Sequence, residues 1–262
     1  VAESSPVFFL AENVPGVISL RNAATLKRAL AKVPSQYTVL DPITVTASKH
    51  GAPTTRTRVF FYGYDAERIG KLTEDDFEPV SNSDVRVRDA LDGLPTIRSD
   101  WQSEALSWRG VGELGRTRYA LRLAGVVPPG VGDPEALDRY RKKRLVSGFL
   151  GTLHTTDTVK RFKALGPGER DSVSKSLRLD PAGYCPTLRA GTGPERGSYQ
   201  AVRPIHPSSP RVIAPREAAR LQGFPDWFQF HATKWHAFRQ IGNSVSPLVA
   251  ESLLRVVAKA MT

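Results

Sequence analysis

The sequence predicts an α/β fold that carries a second, loop-rich module of mixed structure. Three observations support this prediction: the first part of the chain alternates apolar runs with a helical pattern, glycine and proline become frequent from about Asp65 to Pro210, and helical patterns return at the end. Hydrophobic residues make up 40% of the chain and charged residues 24%, which is the composition of a folded protein with a substantial core.

The amino-terminal part predicts a strand, a helix and two more strands, at 6–13, 23–33, 37–46 and 57–64. The first strand is a short apolar run, typical of a buried strand in a parallel sheet, with Glu12 and Asn13 at its carboxyl end. The helix follows Asn22, a good N-cap residue, and the last two strands are rich in β-branched and aromatic residues.

The carboxyl-terminal part predicts two helices. The first begins at Pro215 and ends at Gln222, with proline in its first position and Gly223 just past its end. The second follows Ser246 and is expected to dock through an apolar stripe. The stripe consists of Val249, Leu253, Val256 and Ala260.

The charge balance favours a polyanionic partner, most simply nucleic acid. Lysine and arginine number 37 against 26 acidic residues, giving a formal charge of +11 and a pI near 10.0. A basic surface is also a common aid to solubility. A basic cluster on a predicted short helix is expected either to contact DNA phosphates or to form a solvated face. The cluster contains Arg139, Arg141, Lys142, Lys143 and Arg144.

The sequence is typical of a soluble cytoplasmic protein. No apolar run approaches the ~20 residues of a membrane-spanning helix, and no signal segment opens the chain. Cys185 is the single cysteine, which excludes an internal disulfide framework and a multi-cysteine zinc site. No metal site is expected, because His231 and His236 are five residues apart and off one helical face.

Three segments, taken in their order along the chain, resemble the cytosine-5 DNA methyltransferase family. Residues 9–14 match its Glu-Asn-Val motif and residues 51–60 its Gln-x-Arg-x-Arg motif. The third match joins residues 211–226, with Leu-Gln-Gly-Phe-Pro, to residues 239–250, with Gly-Asn-Ser-Val. The long blocks in this order make the resemblance specific, although the three-letter motif alone occurs by chance.

The resemblance implies the carboxyl-terminal part of a Rossmann-like, S-adenosylmethionine-dependent methyltransferase sheet. Residues 1–72 would belong to the catalytic domain, 73–208 would form a target-recognition domain reading a short site through the major groove, and 209–262 would return to the catalytic domain. It also implies double-stranded DNA as substrate, S-adenosylmethionine as cofactor with most of its pocket outside this chain, and a bacterial role in restriction-modification or orphan methylation.

The resemblance assigns the chemistry of a flipped cytosine to Glu12, whose carboxyl would face the ring nitrogen. Arg56 and Arg58, on one strand face, would bond the base carbonyl or position that carboxyl; their ordinary alternative is an ion pair. Asn243 and Ser244 correspond to cofactor positions, and they can also cap the last helix. Scaffolding that holds the middle module is expected from Arg216, Glu217 and Arg220.

The sequence departs from the family pattern at four places. The nucleophilic cysteine of the Pro-Cys motif and the Phe-x-Gly-x-Gly cofactor loop are not present in this sequence, and Cys185, followed by proline, is expected to be a structural or surface thiol. Thr54 replaces the glutamine of the second motif. Ala214 replaces a helix-capping Ser or Thr, a loss of about 1 kcal/mol.

We therefore expect that this polypeptide alone transfers no methyl groups, and that an amino-terminal half or subunit with the Pro-Cys motif supplies the thiolate. The chain could be a segment of a longer protein, a chain with an alternative start codon, or one subunit of a split enzyme. The rival hypothesis is a catalytically inactive DNA-binding remnant. The residues do not indicate which DNA sequence is recognised.

Overall fold

The computed structural model describes residues 1–79, 84–97, 107–111, 117–189 and 203–261. The chain divides into two compact units. The first contains residues 1–51, 56–83 and 247–262, and the second contains 52–55 and 84–246. Residues 209–246 thus group with the middle of the chain. The division into functional domains at 72 and 208, and the target-recognition role of 73–208, stay predictions.

The first unit is a small antiparallel sheet with two helices. Its strands are β1 (Phe8–Asn13), β2 (Tyr37–Val39), β3 (Ile43–Thr46) and β4 (Thr57–Asp65), and its helices are α1 (Ala23–Leu30) and α8 (Pro247–Ala260). The long strand β4 is central: β1 and β2 flank it, and β3 also pairs with it. The α/β class is therefore confirmed.

The strand β1 differs from its prediction in burial and in direction. It is antiparallel to β4, with Glu12 opposite Phe60, and Phe8, Phe9 and Leu10 are only half-buried. Among the described residues no strand pairs with the other edge of β1, so its side chains are covered from one side only. Gly63 lies opposite Phe9, whose ring occupies the space that a Cβ on residue 63 would need.

The helix α1 is shorter than predicted because it ends at Leu30 and not near residue 33. Asn22 stands at its N-cap position, but its carboxamide donates to the Gly16 carbonyl at 2.8 Å and does not accept from the helix. No residue of α1 is buried. The predicted strand over 37–46 is divided into β2 and β3 around Asp41 and Pro42.

The last helix, α8, docks as predicted, with a small shift of its stripe. Its buried residues are Leu248, Val249, Leu253 and Val257. Val256 and Ala260 are half-buried at the side of this stripe. Ser252 adds a polar contact, because its Oγ lies 2.9 Å from Nδ1 of the buried His50.

The second unit is mostly helical. Its elements are α2 (Val87–Leu91), α3 (Arg118–Leu123), α4 (Pro134–Lys143), α5 (Thr156–Ala164), α6 (Pro215–Gln222), α7 (Lys234–Asn243), and the paired short strands β5 (Arg109–Gly110) and β6 (Leu145–Val146). Its apolar core contains Ile97, Val111, Tyr140, Val146, Phe149 and Ala214. Within the described ranges, no helix has the length and apolar character needed to span a membrane.

Candidate functional site

The register of β1 and β4 brings Glu12 and Arg58 together. Glu12 lies opposite Phe60, and Arg58 comes two residues before Phe60 on β4, hence on the same face. The Arg58 Nε lies 2.6 Å from Glu12 Oε1, and the two side chains keep 15% and 27% of their surface exposed. Arg58 also donates to the Thr57 carbonyl at 2.8 Å. The carboxyl is therefore held in place yet remains accessible to a ligand.

Arg56 comes directly before β4 and is buried, with 2% exposure. The pKa of its guanidinium is lowered to about 10, mainly by burial and also by the charge of Arg58, while the charge of Glu12 acts in the opposite direction. These influences place Arg56 within electrostatic reach of both residues. The structure thus brings together the three residues that the sequence assigned to base chemistry, and their catalytic roles stay a prediction.

The segment before Arg56 is clamped by the backbone of Cys185. The Cys185 N–H donates to the Pro53 carbonyl at 2.8 Å, and the Thr55 N–H donates to the Cys185 carbonyl at 2.9 Å. Cys185 is fully buried, and burial raises the pKa of its thiol. The clamp holds the loop that contains Thr54, the position at which the family has glutamine. Nothing in the sequence predicted this role of Cys185.

Asn243 and Ser244 lie at the end of α7 in the second unit. Asn243 is exposed, and the Ser244 hydroxyl donates to the Ile241 carbonyl at 2.8 Å. Gln222 is buried, and its Nε2 donates to the Ser244 carbonyl at 3.1 Å. The Oε1 of Gln222 and the Oγ of Ser246 are buried with no hydrogen-bond partner among the described residues. Sequence analysis missed Gln222, although it lies inside the Leu-Gln-Gly-Phe-Pro block.

The predicted basic cluster is on α4, and part of its charge is balanced within the helix. Arg139 pairs with Glu135 at 2.5 Å, and Lys142 pairs with Asp138 at 2.9 Å. Arg144 ends the helix at φ 51° and lies over the Tyr140 ring. Arg141 and Lys143 are exposed and have no ion pair within the described part of the chain. DNA contact by this cluster stays a prediction, and Arg141 and Lys143 are the residues most available for it.

The three residues expected to be scaffolding are all buried on α6. Arg216 donates to the carbonyls of Ser147 at 2.8 Å and Phe228 at 2.7 Å. Arg220 pairs with the buried Asp226 through contacts of 2.8 and 2.7 Å. Glu217 accepts from the Ala214 N–H at 2.7 Å, which is the glutamate half of a capping box, while the half that a Ser or Thr side chain would make is missing at Ala214.

His231 and His236 lie close together and share a hydroxyl partner. The rings of His231 and His236 lie 4.4 Å apart, and both Nδ1 atoms contact the Thr233 hydroxyl. Over the residues that the structure describes, no group of three or more His, Cys, Asp and Glu side chains could hold a metal ion.

Several known proteins are similar to this chain over nearly all of its length. A family model described as C-5 cytosine-specific DNA methylase matches residues 1–259. The Type II methyltransferase M.XorII of Xanthomonas oryzae pv. oryzae is 37% identical over 266 residues, covering 100% of this chain and 60% of the relative. The Type II methyltransferase M.AgeI of Thalassovita gelatinovora is 26% identical, covering 100% of this chain and 76% of the relative.

Solved structures extend the comparison to the fold. A crystal structure of a DNA modification methyltransferase encoded within an Escherichia coli prophage has a TM-score of 0.86 and 46% identity, over 98% of this chain and 70% of that one. The Dnmt2 methyltransferase of Schizosaccharomyces pombe shares the fold at 17% identity, with a TM-score of 0.53 over 97% of this chain and 67% of that one. The match of the family model to residues 1–259 establishes that the chain belongs to the C-5 cytosine-specific DNA methylase family.

Proposed function

We propose that this chain is the base-activating and DNA-recognition part of a DNA (cytosine-5-)-methyltransferase. The enzyme would transfer a methyl group from S-adenosylmethionine to a cytosine flipped out of a short duplex site. The observation that carries the proposal is the Glu12–Arg58 ion pair at 2.6 Å, built by strand register from the two family motifs. DNA methylation is the activity that the family membership supports.

Glu12 would bind the Watson–Crick edge of the cytosine and hold a proton at its ring nitrogen N3. That proton makes the ring electron-poor, so that a thiolate can form a bond to C6 while C5 bonds the incoming methyl group. Loss of the C5 proton then expels the thiolate and restores the aromatic ring. Arg58, fixed by the Thr57 carbonyl, would orient the Glu12 carboxyl and bond the base carbonyl.

The nucleophilic thiolate would come from residues outside this sequence. Cys185 is the only cysteine, and it is fully buried, which raises the pKa of its thiol. A neutral buried thiol is a poor nucleophile. The chain spans 60% of the length of M.XorII, so relatives carry residues that this sequence does not.

S-Adenosylmethionine, when bound, supplies the methyl group as an electrophile. The turn after α7 suits such a ligand, because Asn243 is exposed beside it and the buried Gln222 Oε1 and Ser246 Oγ still have hydrogen-bonding capacity among the described residues. Asn243 would bond the cofactor, while Gln222 would hold the Ser244 carbonyl in position. Most of the cofactor pocket would lie outside this chain.

Duplex DNA would be attracted by the basic surface of the chain, which has a formal charge of +11. On α4, Arg141 and Lys143 are the exposed cations best placed for phosphate contact, because Arg139 and Lys142 already pair with acidic side chains. Residues 73–208 would choose the DNA site. A bacterial cytoplasmic role in restriction-modification or in orphan methylation fits this activity.

The test is methyl incorporation from radiolabelled cofactor into genomic DNA, followed by bisulfite sequencing. The 262-residue chain would be assayed with and without the polypeptide encoded immediately upstream, or as the continuous natural chain if the reading frame extends. We expect activity only with the added residues. Activity of the 262 residues alone would refute the proposal that the nucleophilic thiolate comes from residues outside this sequence. Inactivity in every form, with DNA binding retained, would favour the rival hypothesis, in which the chain is a catalytically inactive DNA-binding remnant.

A substitution tests the role of Glu12 in the active assembly. Glu12→Gln should lower the rate of methyl transfer by about 10²- to 10⁴-fold, because the amide cannot hold a proton at N3. The matched control is Glu251→Gln, which removes an exposed helix ion pair with Arg255 and should leave the rate unchanged. Equal rates in both variants would exclude Glu12 from the chemistry.

A further inference from the structure

The positive charge of the chain is concentrated in the second unit. That unit contains 26 lysine and arginine residues against 16 acidic residues, whereas the first unit contains 11 against 10. The second unit therefore carries +10 of the formal charge of +11. Because a polyanion is attracted to the region of highest positive potential, we expect it to bind this unit and not the first.

Three segments of the second unit have no acidic residue in their sequence and contact one another. They are residues 139–156, 203–216 and 227–246. The Lys234 ammonium donates to the Gly151 carbonyl at 2.7 Å, which joins the third segment to the first. The Arg203 guanidinium lies over the Phe238 ring, 4.2 Å from its centroid, which joins the second segment to the third. These segments therefore bring cations to a common region and contribute no carboxylate to it.

Arg203 has the donors that a phosphate group needs, and they are accessible. Its side chain is half-buried against Phe238, and burial lowers the pKa of its guanidinium. Among the described residues this guanidinium makes no hydrogen bond and no ion pair, yet none of its three nitrogens is buried. A guanidinium has five N–H groups in a planar fork that matches two oxygens of a phosphate. Arg203 can therefore bind an oxyanion without breaking a hydrogen bond that it already makes.

Two further cations lie on α7 next to Arg203, and we call the three together the α7 cations. Lys234 precedes Phe238 by four residues on the helix, so it lies on the same face as the ring that Arg203 covers. The pKa of Lys234 is lowered to about 8, mainly by burial and also by the charge of Arg203. Arg239 is exposed, with its guanidinium 5.2 Å from the centroid of the Trp235 ring. An anion bound beside these cations would relieve the repulsion between them.

We propose that the α7 cations bind phosphate groups of the DNA backbone, with Arg203 as the main contact. The identity of the polyanion rests on the proposed function, whereas the choice of residues rests on the contacts given above. Phosphate contacts fix the register of a protein on a duplex but carry no sequence information. The α7 cations would therefore position the DNA and leave the choice of its site to other residues. They would act in addition to the basic cluster on α4.

Fluorescence anisotropy of labelled duplexes, measured with the full chain between about 50 and 200 mM salt, tests the proposal. Arg203→Gln should weaken DNA binding about tenfold, because it removes a charged hydrogen-bond donor. It should also lower the slope of log Kd against log salt concentration by about 1, since one phosphate contact releases about one counterion. Both effects should be equal for duplexes of unrelated sequence. Arg203→Lys keeps the charge and should restore most of the slope.

A second variant and a matched control separate DNA contact from a folding defect. Arg239→Gln changes an exposed side chain and should also lower the slope by about 1. Arg170→Gln removes the same charge at another exposed position of the second unit, where Nη1 donates to the Lys175 carbonyl at 3.2 Å. This control should leave the slope unchanged.

The outcomes distinguish this inference from the proposed function. If the unsubstituted chain binds DNA but Arg203→Gln and Arg239→Gln have the same slope as Arg170→Gln, the α7 cations do not contact DNA and the proposed function still stands. No DNA binding by the unsubstituted chain would overturn both. Inorganic phosphate, titrated by calorimetry, identifies a free anion: phosphate binding that Arg203→Gln removes, with an unchanged DNA slope, would assign the α7 cations to a small anion and not to DNA.

Discussion

At the scale of single residues, strand register decides what Glu12 can do. The sequence places Glu12 at the end of one strand and Arg58 near the start of another, 46 positions apart in numbering. The antiparallel pairing of β1 with β4 sets them diagonally on one face, where they meet at 2.6 Å. A shift of the register by one residue would turn Glu12 to the opposite face and destroy the site.

Cys185 gives a residue-scale prediction on reactivity. Because its thiol is fully buried and its pKa is raised, iodoacetamide should modify the native chain only through unfolding. Mass spectrometry at pH 8 would follow the labelling, with the chain in denaturant as the control that reaches one label per molecule. Stoichiometric labelling of the native chain within minutes would contradict the buried clamp described here.

At the scale of elements, α6 organises the second unit through buried charge. All eight of its residues are buried. Besides its pair with Asp226, Arg220 donates to the Asp92 carbonyl at 2.5 Å, and Tyr119 donates to the Arg220 carbonyl at 2.6 Å. The helix therefore connects three segments that are distant in sequence. Gly148, at φ 94°, allows this packing, because a Cβ there would lie 3.2 Å from the Arg216 nitrogen.

Removing the charge of Arg220 should destabilise this element strongly. Arg220→Met leaves the carboxylate of Asp226 buried without its partner, and we expect a loss of about 3–5 kcal/mol in the free energy of unfolding, measured by urea denaturation. Arg255→Met is the matched control, because Arg255 is 74% exposed in its pair with Glu251 and should cost less than about 1 kcal/mol. Equal losses of unfolding free energy in the two variants would show that burial does not determine how much each ion pair contributes to stability.

At the scale of the whole molecule, the first unit exposes apolar surface that a stable monomer would cover. Leu20 is 97% exposed, Ile18 is 43% exposed, and α1 has no buried residue. Ile18 also lines an open apolar groove on α1 with Leu26 and Leu30. Such a patch beside the β1 edge favours association.

We therefore expect the isolated chain to self-associate, as light scattering would show by an apparent mass above 28.7 kDa. The double substitution Ile18→Asp and Leu20→Asp should shift the mass toward the monomer. Val173→Asp, at a 68% exposed position of the second unit, is the control and should leave the mass unchanged. A monomer before any substitution would contradict this expectation.

By itself, the sequence determined what local chemistry can specify. Proline and glycine set the limits of α6 from Pro215 to Gly223, and the apolar pattern predicted α8 within one turn. The order of the motifs identified the family, since long blocks such as Leu-Gln-Gly-Phe-Pro carry specific information without any coordinates.

Tertiary structure decided everything that depends on contacts between distant residues. The half-burial of β1, the clamp of Cys185 on Pro53 and Thr55, and the ion pair of Glu12 with Arg58 depend on which segments meet in space. Burial and hydrogen bonding at each place come from partners far along the chain, and local patterns carry no information about them. The sequence could therefore name the candidate residues, whose catalytic roles stay a prediction, while their geometry came from the fold.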